Sequence, residues 1–429
     1  MWRFIVQSNL LMFYFFWPVS IIGQNDNQNV LLGSDRGDEV INGADVLSDK
    51  DQGETLENDA DFDELTWDES LDSIGESDLL SILEEVSEED DSAAFFSLNE
   101  TSILFGSLVG RKSNVLYASN PVAEDRSLFG VHGEFLYWGL NYTGHRMTFY
   151  NYFEHLGFLA QGQADKEQIA ISSFNYELPV YKEHKVIFDF GYLYQDQVFD
   201  VSSSEDSLFT VQAMGHQFSS SLGWKKKFDS NLTLQLSAAA ERQVFAFPLD
   251  DYWQWGPVFE ANWETDSRHE LTFQSRFQNR DYDTRNETIT GVPLRFKRLD
   301  SVLEWEYDID EDGHWWTGVE LGYRRNEDNG GGFFDYHRYS IGPTLGYEDD
   351  LWNVEVSYSY RKYFYELQFF GTESLIRDDS LLTFRIKYHV NDNWKWFGEC
   401  ESQIAGSSDP ADEYEVFSII TGFDYELKW

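Results

Sequence analysis

The chain has 429 residues and a formal net charge of −46, from 77 acidic side chains against 31 Lys and Arg; such acidity repels phosphate backbones and excludes a nucleic-acid partner. A single cysteine, Cys400, excludes a disulfide framework and a thiolate metal cluster. Aromatic residues make up 17% of the chain although its mean hydropathy is negative, a balance that fits apolar and polar side chains alternating residue by residue.

Residues 1–23 have the pattern of a secretory signal peptide: Arg3 is the only charge, and Leu10 to Ile22 form an apolar stretch rich in Phe. Ile21-Ile22-Gly23 matches a small-x-small cleavage site poorly, which leaves the cleavage position open and an uncleaved anchor as the alternative. No later run of eighteen apolar residues follows, so no transmembrane helix is expected.

Residues 24–100 hold 25 acidic residues against two basic ones, Arg36 and Lys50, a net −23 and half the charge of the whole protein. A segment of this composition cannot bury enough apolar surface to offset its ordering entropy, and disorder is predicted. Within it, Leu79, Leu80, Ile82, Leu83 and Val86 have helical spacing over residues 78–90. They predict either a short amphipathic helix, docking on a periplasmic partner or in a barrel mouth, or a transient helix in a linker. Asp59, Asp61 and Asp63 look like the start of a calcium loop, but Glu64 stands where the turn needs Gly and Ser70 where the bidentate Glu belongs. No cofactor is expected.

From residue 101 to the end, period-two alternation takes over. It predicts an all-β protein, a transmembrane up-and-down antiparallel β-barrel of about sixteen strands, with fourteen as the alternative count. The strands are expected at 103–118, 127–142, 146–160, 167–178, 185–199, 207–225, 231–247, 251–264, 268–282, 292–309, 313–326, 334–348, 351–366, 379–390, 393–406 and 413–429. Each exceeds the ~9–11 residues that cross a bilayer at a tilt.

The first strand ends in Gly110-Arg111-Lys112-Ser113-Asn114-Val115-Leu116-Tyr117. This resembles the opening of barrels that follow a periplasmic domain, among them the surface lipoprotein assembly modifiers. Arg111 replaces their usual aromatic residue, and no helical repeats precede the barrel. The resemblance implies an assembly or export role as one functional reading.

Side chains of a strand point alternately to opposite faces. On 251–264, Trp253, Trp255, Phe259, Ala261 and Trp263 oppose Gln254, Glu260, Asn262 and Glu264. On 379–390, Leu382, Phe384, Ile386, Tyr388 and Val390 oppose Thr383, Arg385, Lys387 and His389. A charge on the lipid face at mid-depth costs about 2–4 kcal/mol, so the charged sets are assigned to the lumen. Strand 292–309 breaks phase: Leu294 and Phe296 are even, Leu303, Trp305 and Tyr307 odd. A bulge is predicted near Arg298. Trp138, Trp224, Trp253, Trp263, Trp305, Trp315, Trp352, Trp394 and Trp429 fall near strand ends, where interfacial girdles sit.

Short turn-like connections such as Thr143-Gly144, Asp229-Ser230 and Asp349-Asp350 alternate with longer ones, including 327–333 and 367–378. Barrels of this type keep short turns and termini in the periplasm, which assigns the acidic segment there. No connection is long enough to fold inward, so any narrowing has to come from wall side chains. Gly330-Gly331-Gly332 is expected to give its loop flexibility.

The last strand reads Phe417, Ile419, Thr421, Phe423, Tyr425, Leu427, Trp429 on one face. It resembles the C-terminal assembly signal of bacterial outer-membrane β-barrel proteins, which end in Phe or Trp. The resemblance implies an outer-membrane location and, as partners, the bilayer and the barrel assembly machinery, with Phe423, Tyr425, Leu427 and Trp429 as the signal.

One lumenal constellation stands out. Arg280, Arg295, Arg324, Arg338 and Arg361 are expected near the outer ends of adjacent strands, with Arg276, Lys297, Arg385 and Lys387 deeper on the same face. Such a basic stripe steers anions; alternatively each Arg pairs with a lumenal carboxylate such as Glu320 or Glu355 and stiffens the wall. His132 with Glu134, and His216 with Ser219, Ser220 and Ser221, lack the spacing of a nucleophile–base set, and no enzymatic activity is expected. The sequence thus predicts a porin-like passive channel for small hydrophilic solutes; the alternatives are an assembly or export factor for a surface lipoprotein, protein or polysaccharide, and a structural barrel with a filled lumen.

Overall fold

The computed structural model describes residues 98–117, 125–140, 144–159, 165–200, 210–228, 231–246, 249–266, 268–286, 291–310 and 313–429. The predicted signal peptide, the acidic segment up to residue 97 and its 78–90 helix lie outside these residues.

Sixteen strands follow one another: β1 (Leu98–Lys112), β2 (Arg126–Leu140), β3 (Arg146–Phe158), β4 (Lys166–Tyr181), β5 (His184–Asp200), β6 (Thr210–Lys227), β7 (Leu232–Phe245), β8 (Tyr252–Asp266), β9 (His269–Asn286), β10 (Pro293–Asp308), β11 (Trp315–Asp328), β12 (Tyr336–Glu348), β13 (Trp352–Phe370), β14 (Glu373–His389), β15 (Trp394–Ser407) and β16 (Tyr414–Lys428). Each pairs antiparallel with its neighbours in sequence, and β1 pairs with β16 from Ser102↔Lys428 to Lys112↔Ser418, closing the barrel. Closure leaves no strand edge with unmet N–H and C=O groups, which is what a bilayer interior demands.

The alternation sorts side chains as read from the sequence. On β14, Leu382 and Phe384 are exposed on the outside, while Thr383 and Arg385 are buried inside. On β16, Phe417, Ile419, Phe423, Leu427 and Trp429 face out, and Val416, Ser418, Asp424 and Glu426 face in. The outward tryptophans sit near strand ends as predicted, with one correction. Trp138 shares the inward parity of His132 and Glu134 and is 7% exposed, against 50% for Trp253.

Two further expectations change. The bulge near Arg298 is not there: β10 pairs with β9 without interruption from Arg295 to Tyr307, and its irregularity falls between Pro293 and Arg295. Leu294 and Phe296 break the polarity pattern because they point into an apolar packing of Phe334, Tyr336, Tyr363, Tyr365 and Leu375 inside the mouth. The segment 367–378 is no long loop either. β13 and β14 run on as a hairpin to Phe370 and Glu373, with a register shift between Phe364 and Phe369 and a turn at Gly371 (φ 67°).

Both chain termini of the barrel lie at the end that carries the short connections, such as Lys182-Glu183 between β4 and β5. The opposite end, with the segments 113–117 and 329–335, is the loop end.

Candidate functional site: the arginine row of the lumen

Cross-strand register brings the arginines together. Arg276 on β9 pairs with Asp300 on β10, Asp300 with Arg324 on β11, Arg324 with Arg338 on β12, Arg338 with Tyr363 on β13, and Tyr363 with Arg377 on β14. All six positions face the lumen. Arg361, on β13, stands one row nearer the turn end, paired with Asp379. Arg280 and Arg298 stand nearer the loop end, paired with Phe296 and Gln278 on β10 and β9. Asp300 is the hub: Arg324 Nε donates to its Oδ1 at 2.6 Å, and Arg338 Nη2 lies 3.6 Å from the same atom. Arg280 Nε donates to Gln254 Oε1 at 2.8 Å, its guanidinium 4.0 Å from the ring centre of Tyr252. Arg338 and Arg377 both lie against Tyr363. Planar guanidinium groups tolerate such stacking and partial desolvation better than ammonium groups do.

Of the predicted stripe, Arg276, Arg280, Arg324, Arg338 and Arg361 are gathered on this wall. Arg385 and Lys387 are lumenal too, but farther round: Arg385 bridges Glu355 (3.1 Å) and Glu399 (3.6 Å). Arg295 and Lys297 do not belong. Both are odd-numbered on an unbulged β10 and face outward; the Arg295 side chain is 63% exposed and lies 3.3 Å from Asp281. Arg295 is level with Trp253 through Asp281, and Lys297 with Trp255 through Asn279. That is the depth of the aromatic girdle, where an outward charge costs only about 0–1 kcal/mol. Arg298 takes their place inside. Its parity matches Glu304 and Glu306, a signal hidden by the assumed bulge; Arg377 was hidden in the assumed loop.

The same wall is bipolar. Toward the turn end, Glu260, Glu264, Glu270, Glu304, Glu306 and Glu320 face the lumen of β8–β11, half-buried. Among the described residues, seven lumenal arginines (Arg276, Arg280, Arg298, Arg324, Arg338, Arg361, Arg377) accompany three carboxylates, Asp300, Asp328 and Asp379, on the loop-end half of β9–β14, so the positive potential is concentrated there.

Narrowing does not come from the wall alone, contrary to expectation. After β1 the chain turns inward at Asn114 (φ 46°) and Tyr117 (φ 54°), burying Val115, Leu116 and Tyr117. Ser113 and Asn114 pin the turn: Ser113 Oγ accepts the Phe417 N–H at 2.8 Å, and Asn114 Nδ2 donates to the Glu415 carbonyl at 3.1 Å. The Ser-Asn-Val-Leu-Tyr stretch is therefore a wedge at the barrel mouth. From the other side the 329–335 connection inserts Phe334, buried against Phe296. The three glycines are not merely flexible: the Asp328 carboxylate accepts the N–H groups of Gly330, Gly331, Gly332 and Phe334 at 2.8–3.1 Å.

His132 faces the lumen and meets Asp424 Oδ1 at 2.9 Å. His216 faces outward, bonded to the Tyr192 hydroxyl at 3.0 Å, on the opposite face from Ser219 and Ser221.

An outward apolar belt with aromatic ends surrounds a polar, charged lumen. The chain is an outer-membrane-type β-barrel. No family model and no curated protein matches it. Among solved structures it is similar to OccAB3 from Acinetobacter baumannii, at 11% identity over 77% of this chain and 99% of that one, with a TM-score of 0.44. It is also similar to OccK9 (OpdG) from Pseudomonas aeruginosa, at 8% identity over 77% of this chain and 98% of that one, TM-score 0.42. A third is CdiB from Acinetobacter baumannii, at 9% identity over 75% of this chain and 60% of that one, TM-score 0.43.

Proposed function

We propose that the protein is a narrow passive channel for small hydrophilic solutes whose loop-end mouth recruits anionic groups. The observation that carries this reading is the arginine row, in excess over carboxylates and aimed into a lumen narrowed by Tyr117 and Phe334. Fixed guanidinium groups in a low-dielectric constriction raise the local concentration of anions without needing any conformational step. By the rule that short turns and termini are periplasmic, the row faces the cell exterior and the acidic segment hangs in the periplasm.

Planar-bilayer recording of the purified chain tests the reading. A small steady conductance is expected, with a reversal potential in a salt gradient that favours anions. Arg324→Glu with Arg361→Glu should move that potential toward cations; an unchanged potential removes the row from selectivity.

The inserted wedges favour a second reading, a barrel closed at rest that serves assembly or export. It requires no steady conductance, together with loss of one surface component on deletion. In either case Phe423, Tyr425, Leu427 and Trp429 form the outward row offered to the assembly machinery, and Trp429→Ala should slow assembly into proteoliposomes that contain that machinery.

A further inference from the structure

The chain is strongly acidic, yet five of its thirteen lysines stand at two neighbouring turns of the turn end: Lys182 and Lys185 around the β4–β5 turn, and Lys225, Lys226 and Lys227 at the end of β6. The two turns are joined side by side, the Lys227 N–H donating to the Glu183 carbonyl at 3.2 Å. Three other turns of that end are acidic instead. Asp308 and Asp310 stand at the end of β10, Glu348, Asp349 and Asp350 at the end of β12, and Asp392 after β14.

Strand parity sorts these lysines between two surroundings. Lys185 and Lys225 share the inward face with Glu177 and reach it, at 2.6 and 3.8 Å. Lys226 points the other way, on the outward face of Leu222 and Trp224. It is the register partner of His184, and side chains directly opposite on one face of an antiparallel pair have Cβ atoms about 4.5–5.5 Å apart. Trp224 Nε1 donates to His184 Nδ1 at 3.1 Å, an acceptor role that puts the hydrogen of the neutral ring on Nε2. Aromatic rings frame the pair. Lys226 Nζ lies 4.1 Å from the ring centre of Phe228, Lys182 Nζ 5.5 Å from that of Tyr181, and the Tyr181 ring 6.4 Å from the His184 ring. Among the described residues, no carboxylate shares this outward face on the turn-end halves of β4–β7; Glu183 lies in the turn itself.

We propose that this outward corner holds the headgroup of an anionic phospholipid in the turn-end leaflet, its phosphate between Lys226 and His184 with Lys182 beside them, and an acyl chain along the exposed Leu222 and Leu236. Ammonium and imidazole N–H groups donate to phosphate oxygens, Trp and Tyr rings fix the headgroup depth at a bilayer interface, and basic groups at that depth attract anionic lipid. A zwitterionic headgroup fits worse, because it brings a cation of its own to lysines that no outward carboxylate offsets. The aliphatic floor favours a lipid over the acidic N-terminal segment, which would leave Leu222 and Leu236 uncovered. The site does not depend on whether the lumen conducts.

The test is native mass spectrometry of the full chain, released from detergent micelles after titration with phosphatidylglycerol or with phosphatidylcholine of the same acyl chains. Phosphatidylglycerol should be retained preferentially, by roughly fivefold for each lysine engaged. Lys182→Gln with Lys226→Gln should remove that preference. Lys297→Gln with Lys362→Gln, which takes away outward lysines of the loop end, should keep it. Equal retention of the two lipids by the wild-type protein overturns the proposal, as does a preference that survives the first pair of substitutions or is lost equally with the second. Excess inorganic phosphate should leave the bound lipid in place; displacement would assign the corner to free phosphate and overturn the lipid site. If the Lys182→Gln, Lys226→Gln variant lacks the heat-modifiable gel mobility of a folded barrel, Lys226→Gln alone decides: a preference reduced about fivefold supports the site, and an unchanged one overturns it.

Discussion

Four backbone amides converge on the carboxylate of Asp328, and the orientation of Phe334 follows from them. Asp328→Ala should leave those amides without their acceptor, at a local cost of about 1–3 kcal/mol. Faster amide exchange across 330–334 would register the loss. Asp335 sets a pH dependence on the same loop. Its Oδ1 accepts the Asp328 N–H at 2.6 Å, yet burial first, and then the charges of Asp328, Glu366 and Glu327, push its carboxyl up to about 6. A carboxyl raised above its ordinary 3.8 stabilises the folded loop fully below that value, and the contribution is lost as pH rises through about 6. Amide protection at 330–334, corrected for intrinsic rates, should therefore fall between about pH 4 and pH 6, and Asp335→Asn should flatten the profile. Gly106 is the other telling residue. It lies on β1 between His132 and Asp424, and a Cβ there would sit 2.1 Å from His132 Nε2 and 2.4 Å from Asp424 Oδ1. Gly106→Ala should break that bridge; in thermal unfolding its cost should be clearly smaller when Asp424→Ala is already present.

Among the elements, β14 and β10 show what strand parity can and cannot tell. On β14 lipid lies on one side and water-accessible charge on the other, so polarity and direction coincide. Leu382→Lys should cost about 2–4 kcal/mol in equilibrium folding into bilayers; a negligible change would mean that this face does not meet lipid. On β10 the rule inverts at the mouth. Leu294 and Phe296 are apolar and point inward, while Arg295 and Lys297 are charged and point outward at girdle depth. Parity was conserved and polarity was not, which is why a bulge looked necessary. The β13–β14 hairpin departs from expectation for a related reason: Glu373, Arg377 and Asp378 look like loop residues, but pairing continues to Phe370 and Glu373, where both faces are free to be polar.

At the scale of the whole molecule, sixteen strands, their order and the outward face were legible in the sequence by itself. A bilayer imposes one uniform solvent on every outward residue, and each strand reports that solvent independently. The contents of the lumen were decided only by the tertiary structure. Its side chains meet one another across the barrel, so whether Arg324 finds Asp300, or whether Tyr117 and Phe334 turn inward, depends on register, closure and loop path. Those are relations between distant segments, and alternation along one strand carries no record of them.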